Sequence, residues 1–179
     1  MMREPYEGKI MWEMDYDQAA AYWVLKDKEA VHMDDADLKE KIESFITEHN
    51  TCALATATRE FVRCTPIEYN YLEGFFYMFS EGGVKFKGLK DNKHVGLAIY
   101  DHYDGFANLK SLQVEGIATI VEPFSEEYIR VLEHKKISVE NIKKMPSVLN
   151  LIKVYPEIYN YLDSDLKEEG FGARQTLFM

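Results

Sequence analysis

Tyr77-Met78-Phe79-Ser80-Glu81-Gly82-Gly83-Val84-Lys85-Phe86-Lys87-Gly88-Leu89 decides how this chain is read. An aromatic strand ends on a hydroxyl, two glycines follow, and two lysines open a short helix. Backbone N–H groups at the start of a helix, beside a cation, make a site for an anion, and a phosphate is the natural guest. The segment lies within Thr51 to Val121, which holds the densest run of strand signals.

Outward from that segment the hydrophobic period is two. Thr51 to Ala57 is a strand of small residues, and Thr58-Arg59-Glu60 is a polar hairpin loop. Phe61 to Tyr71 is a second strand interrupted by Pro66, which marks an edge or a bulge because proline cannot donate to a ladder. Glu73-Gly74 turns into a third strand, Phe75 to Ser80, and Val84 to Asn92 is the short helix. His94 to Tyr100 is nearly all apolar, which predicts burial on both faces. After a polar loop, Leu109 to Val121 is a long fifth strand.

The flanks read as helices and further strands. Residues 1–14 look irregular, with Trp12 and Met14 as anchors, and a helix follows from Asp15 to about Glu29 with Tyr22 and Trp23 expected to pack on a core. Asp34 caps the next helix, where Leu38, Ile42, Phe45 and Ile46 form one apolar stripe. Ser125 caps a later helix whose apolar face is read as Tyr128, Ile129 and Leu132. Residues 136–147 are lysine-rich and amphipathic, Leu149 to Leu162 is a strand kinked at Pro156, and Phe171 to Met179 is a last strand. Sequential short strands joined by tight turns and framed by a few helices predict a mainly β, antiparallel barrel with flanking helices. At 179 residues the chain suits one domain, with a barrel core at about 51–121, a helical extension at 15–49 and C-terminal helices and strands at 125–179.

A formal charge of −10 argues against nucleic acid and against an anionic membrane surface, though a few placed cations can still dominate one pocket. No apolar run reaches membrane-spanning length, and the N-terminus lacks the apolar segment of a secretory signal. Cys52 and Cys64 read as reduced core thiols in neighbouring strands, and a cytoplasmic setting is expected. None of the five histidines pairs with another His or Cys at ligand spacing, so no metal site is expected.

Arg63, Thr65 and Ile67 share one face of the second strand. A mid-strand arginine needs an anionic partner or a route to solvent. If Arg63, Ser80 and Lys85 converge, they supply a fork, a hydroxyl and a point charge, which suit a phosphate. The competing reading pairs Arg63 with Glu68 or another surface carboxylate and leaves Lys85 and Lys87 solvated. On the fifth strand Ser111, Gln113 and Glu115 share a face; Gln113 either meets the polar edge of a planar heteroaromatic or simply bonds to backbone.

Taken in order, these pieces resemble the pyridoxamine 5'-phosphate oxidase-like family, the FMN-binding split barrels of Greek-key type. The likeness runs from about Leu38 to Glu133. It rests on Cys52-Ala53-Leu54-Ala55-Thr56, Arg63-Cys64-Thr65-Pro66, Phe79-Ser80 with Lys85 after it, Leu89-Lys90-Asp91-Asn92, Val95-Gly96-Leu97-Ala98-Ile99 and Val114-Glu115-Gly116-Ile117-Ala118. The resemblance implies a homodimer with FMN in clefts between subunits. It implies that Arg63, Thr65, Pro66, Phe79, Ser80 and Lys85 hold the cofactor, with Ser111 or Gln113 at the ring's polar edge and Arg174 reaching the partner's site.

The chain also departs from the true oxidases. The acid expected near Asn160 and the arginine-histidine motif after it are missing, with Asp163-Ser164-Asp165-Leu166-Lys167 in that place. Glu68 stands where the oxidase carries a lysine. The expected function is therefore a flavin-dependent oxidoreductase acting on another small molecule, with NAD(P)H among the candidate electron donors, rather than the vitamin B6 oxidase. The alternatives are a non-catalytic flavin carrier or sensor, a haem-binding relative with His94 or His102 as ligand, and a structural dimer with a vestigial cleft.

Overall fold

The computed structural model describes residues 14–179; Trp12, one of the expected anchors, lies outside them. Residues 14–30 belong to one compact unit and Val31 onward forms another. In the first, α1 (Tyr16–Glu29) begins on Asp15, whose carboxylate accepts from the Gln18 amide at 2.8 Å. Tyr22 and Trp23 meet edge to face at 5.2 Å, and Lys26 lies over both rings. The core packing expected of this aromatic pair is not found, since no residue of α1 is buried.

The second unit opens with α2 (Asp35–Glu48), capped by Asp34, whose Oδ1 accepts from the Ala36 amide at 2.9 Å. Leu38, Ile42, Phe45 and Ile46 are all buried, each side chain contributing about 1.5–3 kcal/mol of transfer free energy. Then come β1 (Thr51–Ala57), β2 (Val62–Glu68), β3 (Asn70–Leu72), β4 (Phe75–Ser80), α3 (Lys85–Asp91), β5 (His94–Tyr100) and β6 (Lys110–Val121). The C-terminal part holds α4 (Glu126–His134), α5 (Val139–Lys143), β7 (Asn150–Asp163), a 3₁₀ turn (Ser164–Lys167) and β8 (Arg174–Phe178). All strand pairs are antiparallel and make one eight-stranded sheet in the order β2-β1-β5-β6-β7-β4-β3, with β8 beside β7. The sheet curls into a half-barrel around Leu54, Leu97, Val114, Met78 and Tyr159, with the α2 stripe in the same core. Among the described residues no helix is long and apolar enough to cross a membrane.

The sheet runs past Val121: β7 joins β6 to β4, so the barrel depends on a strand late in the sequence. Pro66 lies in β2, the edge strand, where the missing N–H costs no ladder bond on its open side. In β7 the pairing slips opposite Glu115 and Gly116, so Glu157, next to Pro156, has no partner on β6. The slip brings the Tyr155 carbonyl over Gly116, where a Cβ would lie 2.4 Å from that oxygen. Gly116→Ala should therefore cost about 1–3 kcal/mol through displaced backbone, readable as a lower urea midpoint with an unchanged slope.

The outer side of the sheet has two halves of different character. Over β4 and the start of β7, Tyr128, Val131 and Leu132 of α4 pack on Tyr77 and Leu151 in a second core. Val131 is buried there, and Ile129, expected on the apolar face, is only half-buried. Over β1 and β5 there is no such cover within residues 31–179. Ala53, Ala55, Gly96 and Ala98 face outward half-exposed, so β5 is buried on one face and not on both as its composition predicts. Cys64 joins this outer face and is exposed, whereas Cys52 is in the core, where burial and then the neighbouring Cys64 push its thiol up to about 12. The expectation of two core thiols holds for one of them.

Candidate functional site

The segment from β4 into α3 folds back on itself. Ser80 closes β4, and its Oγ donates to the Gly82 carbonyl at 3.1 Å and accepts from the Gly82 amide at 3.3 Å. Lys85 Nζ donates to the same carbonyl at 2.6 Å. Gly83 has φ +111°, a conformation that favours glycine, and a Cβ there would sit 3.4 Å from Lys85 Nζ. Lys85 is buried, and desolvation followed by the charge of Arg63 holds its ammonium below the ordinary lysine value. Arg63 on the edge strand is thus close enough to Lys85 to repel it, and Ser80 shares the Gly82 carbonyl with Lys85. Lys85 keeps two N–H donors and Arg63 its fork of five.

Arg63 has no carboxylate partner among the described residues; Glu68 pairs with Lys135 instead. Two cations within electrostatic reach of each other, neither with a carboxylate partner among the described residues, make a local positive field in a chain of charge −10. The helix contributes position more than dipole, since α3 has seven residues. It lies directly on β1 because Gly88 has no side chain: a Cβ there would meet Thr56 Cβ at 2.9 Å. Thr56, paired with Arg63 across β1 and β2, is buried with its hydroxyl unbonded. The sequence reading did not single out Gly88; a glycine inside a helical pattern is the signal that marks it.

The family model for pyridoxamine 5'-phosphate oxidase matches residues 38–161. The chain belongs to the pyridoxamine 5'-phosphate oxidase family. No curated protein matches it by sequence. Among solved structures it is similar to ChuZ of Campylobacter jejuni, with 15% identity and a TM-score of 0.63 over 93% of this chain and 70% of that one. It is also similar to HutZ, the haem storage protein of Vibrio cholerae, with 18% identity and a TM-score of 0.56 over 67% and 90% of the two chains. An FAD-binding protein of Mesorhizobium loti gives 19% identity and a TM-score of 0.56 over 68% and 89%. At these identities the likeness to solved structures concerns the split-barrel fold.

The other family-derived positions fall into two places. Thr65 is half-buried on the face that carries Arg63, and Pro66 points to the opposite, outer face. Phe79 directs its ring away from Arg63 into the second core, 5.6 Å from the Tyr128 ring, which leaves its backbone at the end of β4. Ser111, Gln113 and Arg174 project from the outer face of β6 and β8, on the other side of the sheet from Arg63. Gln113 is exposed between Ala98 and Asn160 and not among apolar side chains.

The end of β7 and the 3₁₀ turn after it carry a hydrogen-bonded network. Asp163 caps the 3₁₀ turn, accepts from the Tyr161 hydroxyl at 2.9 Å and pairs with Lys110 at 3.6 Å. Asn160 accepts from the Thr176 hydroxyl at 3.0 Å. His102 is exposed in its loop, His94 is exposed at the start of β5, and no metal-binding group of His, Cys, Asp or Glu occurs among the described residues.

Proposed function

We propose that this protein binds a flavin, with the phosphate of its FMN moiety on Arg63, Ser80 and Lys85. The observation that carries the reading is the pair of cations Arg63 and Lys85, close enough to repel and without a carboxylate partner among the described residues. An anion there would relieve their repulsion and accept the unused donors of both. A bound flavin would supply hydride and electron transfer. The chain's own residues would hold the phosphate and fix the ring, with no side chain required as nucleophile. The substrate of this reading is a small molecule other than pyridoxamine phosphate, because the resemblance implies an arginine-histidine motif for the vitamin phosphate where this chain has Asp163 and Asp165, paired with Lys110. A reducing cytoplasmic setting belongs to the same proposal.

A homodimer completes it. The outer face of Ala53, Ala55, Gly96 and Ala98, uncovered within residues 31–179, is small-residued and uncharged, which suits the approach of a second copy. Such a dimer would bring Ser111, Gln113 and Arg174 to the partner's flavin. Ala98→Arg should convert the dimer to monomers at micromolar concentration, read by sedimentation velocity, and weaken flavin binding in parallel.

The visible spectrum of the purified protein, with mass identification of what heat releases, tests the proposal. Flavin bands and a released flavin are expected. A Soret band would favour the haem-binding alternative, and a colourless protein showing no thermal shift with FMN or FAD would leave the structural dimer.

A further inference from the structure

A cleft of about 830 Å³ opens between the tip of the β1–β2 hairpin and α3. That volume is in the range of small-molecule sites. Arg59 lines it from the hairpin, and Lys87 and Lys90 line it from α3, three residues apart and so on one helix face. All three are exposed, and none has a carboxylate partner among the described residues. Phe61, half-buried, gives the cleft an aromatic face. Asn92 accepts the His94 amide at 3.0 Å through Oδ1, so its NH₂ is free to donate. Glu60 and Asp91 also line it and keep the net charge modestly positive.

The position of the cleft limits what it can hold. It shares α3 with Lys85, and Phe61 precedes Arg63 by two residues in the same hairpin arm. A flavin phosphate on Arg63 and Lys85 would therefore be held by the same two elements, the hairpin arm and α3, that form the cleft. The isoalloxazine ring is at the far end of the ribityl chain from that phosphate. A nicotinamide donor must stack on the ring, so a cleft next to the phosphate is misplaced for it. What lies beyond the phosphate of FMN is water. In a dinucleotide it is a second phosphate, a ribose and an adenine.

We propose that this cleft takes the adenylate half of flavin adenine dinucleotide: Arg59, Lys87 and Lys90 meet the second phosphate, Phe61 stacks on adenine, and Glu60 or Asp91 accepts from the ribose hydroxyls. The inference rests on the flavin reading and extends it to the choice of cofactor. Aromatic stacking and charge-assisted hydrogen bonds are the two terms that would separate FAD from FMN.

The test is a titration of the full-length, flavin-free chain with FMN and with FAD at one salt concentration, followed by flavin fluorescence. FAD should bind at least about tenfold more tightly, as one or two additional charge-assisted contacts imply. The triple variant Arg59→Ala, Lys87→Ala, Lys90→Ala should bring FAD down to the FMN affinity and change FMN itself by less than about twofold. Lys87→Arg with Lys90→Arg should keep the FAD preference. Equal or tighter binding of FMN, or a triple variant that weakens both flavins alike, overturns the cleft assignment while leaving the flavin site standing. If neither flavin binds, the flavin reading falls, and this inference with it.

Discussion

Arg63→Ala and Lys85→Met should each weaken flavin binding by about 10–100-fold, the cost of one charge-assisted phosphate contact. The double variant should lose more than the sum of the two, because removing either cation relieves the repulsion on the other and lets it hold the shared anion alone. Riboflavin, which lacks the phosphate, should bind both variants about as well as it binds the parent. The pH dependence separates this from a general packing defect. Burial, and then Arg63, hold the Lys85 ammonium below the ordinary lysine value. Phosphate binding needs that ammonium charged, so flavin affinity should fall as pH rises through the lowered value, before an ordinary lysine titrates. Stability of the free protein should move the other way. The unfolded chain keeps the proton to higher pH than the folded one, so raising pH between the two values favours the folded state. Lys85→Met should abolish both trends. Isothermal titration and urea melts across pH 7 to 10, a range set by lysine ionisation at about 10.4, would read them.

Glu127→Ala should be the most destabilising change outside the barrel core, at about 3 kcal/mol or a loss of roughly 6–12 °C in Tm. Glu127 Oε1 accepts from Lys153 Nζ at 2.7 Å and from the Tyr77 hydroxyl at 2.7 Å, and so ties α4 to β4 and β7. Lys153 is buried and lies over the rings of Phe75, at 4.1 Å, and Tyr155, at 4.5 Å. Burial would lower its pKa, but hydrogen bonds to Glu127, Tyr155 and Tyr77 outweigh that and raise it. Without Glu127 the ammonium stays buried with no carboxylate, left to the tyrosine hydroxyls and aromatic faces around it. The Lys153 hydrogen bond holds the Glu127 carboxyl below the usual carboxylate range, against desolvation and with help from Tyr77. A depressed carboxyl contributes stability above its unfolded pKa and loses it as pH falls through the folded one. The parent should therefore lose stability below about pH 4, where an unfolded glutamate titrates, and Glu127→Gln should flatten that part of the curve. Lys153→Met should cost less than Glu127→Ala, because Glu127 reaches solvent and Lys153 does not.

Local signals made much of this fold legible. Asp34, Ser125 and the stripe Leu38, Ile42, Phe45 and Ile46 act as their spacing requires, because capping and amphipathicity are set within a few residues. Pro66 marks an edge strand, and Pro156 a kink, for the same local reason. The misreadings concern what covers a surface. His94 to Tyr100 is apolar throughout, yet its outward residues are Gly96 and Ala98, small enough to be left half-exposed. Composition reports apolarity and cannot report whether another layer is present. Cys64 and Ile129 were misplaced likewise, since which face is inward depends on the neighbour that α4 covers and β2 lacks. At the candidate site, Arg63 could be read as pairing with Glu68 on the same strand. Long-range placement of Lys135 beside Glu68 removes that partner. Gln113 looks apolar-flanked because Leu112 and Val114 adjoin it in sequence, but both point inward while Gln113 faces out.

The most direct test of the central claim is a crystal structure of the protein soaked or grown with flavin. The account predicts the FMN phosphate within hydrogen-bonding distance of the Arg63 guanidinium, the Lys85 ammonium and the Ser80 hydroxyl. A flavin seated elsewhere, making no contact with Arg63 or Lys85, would contradict it.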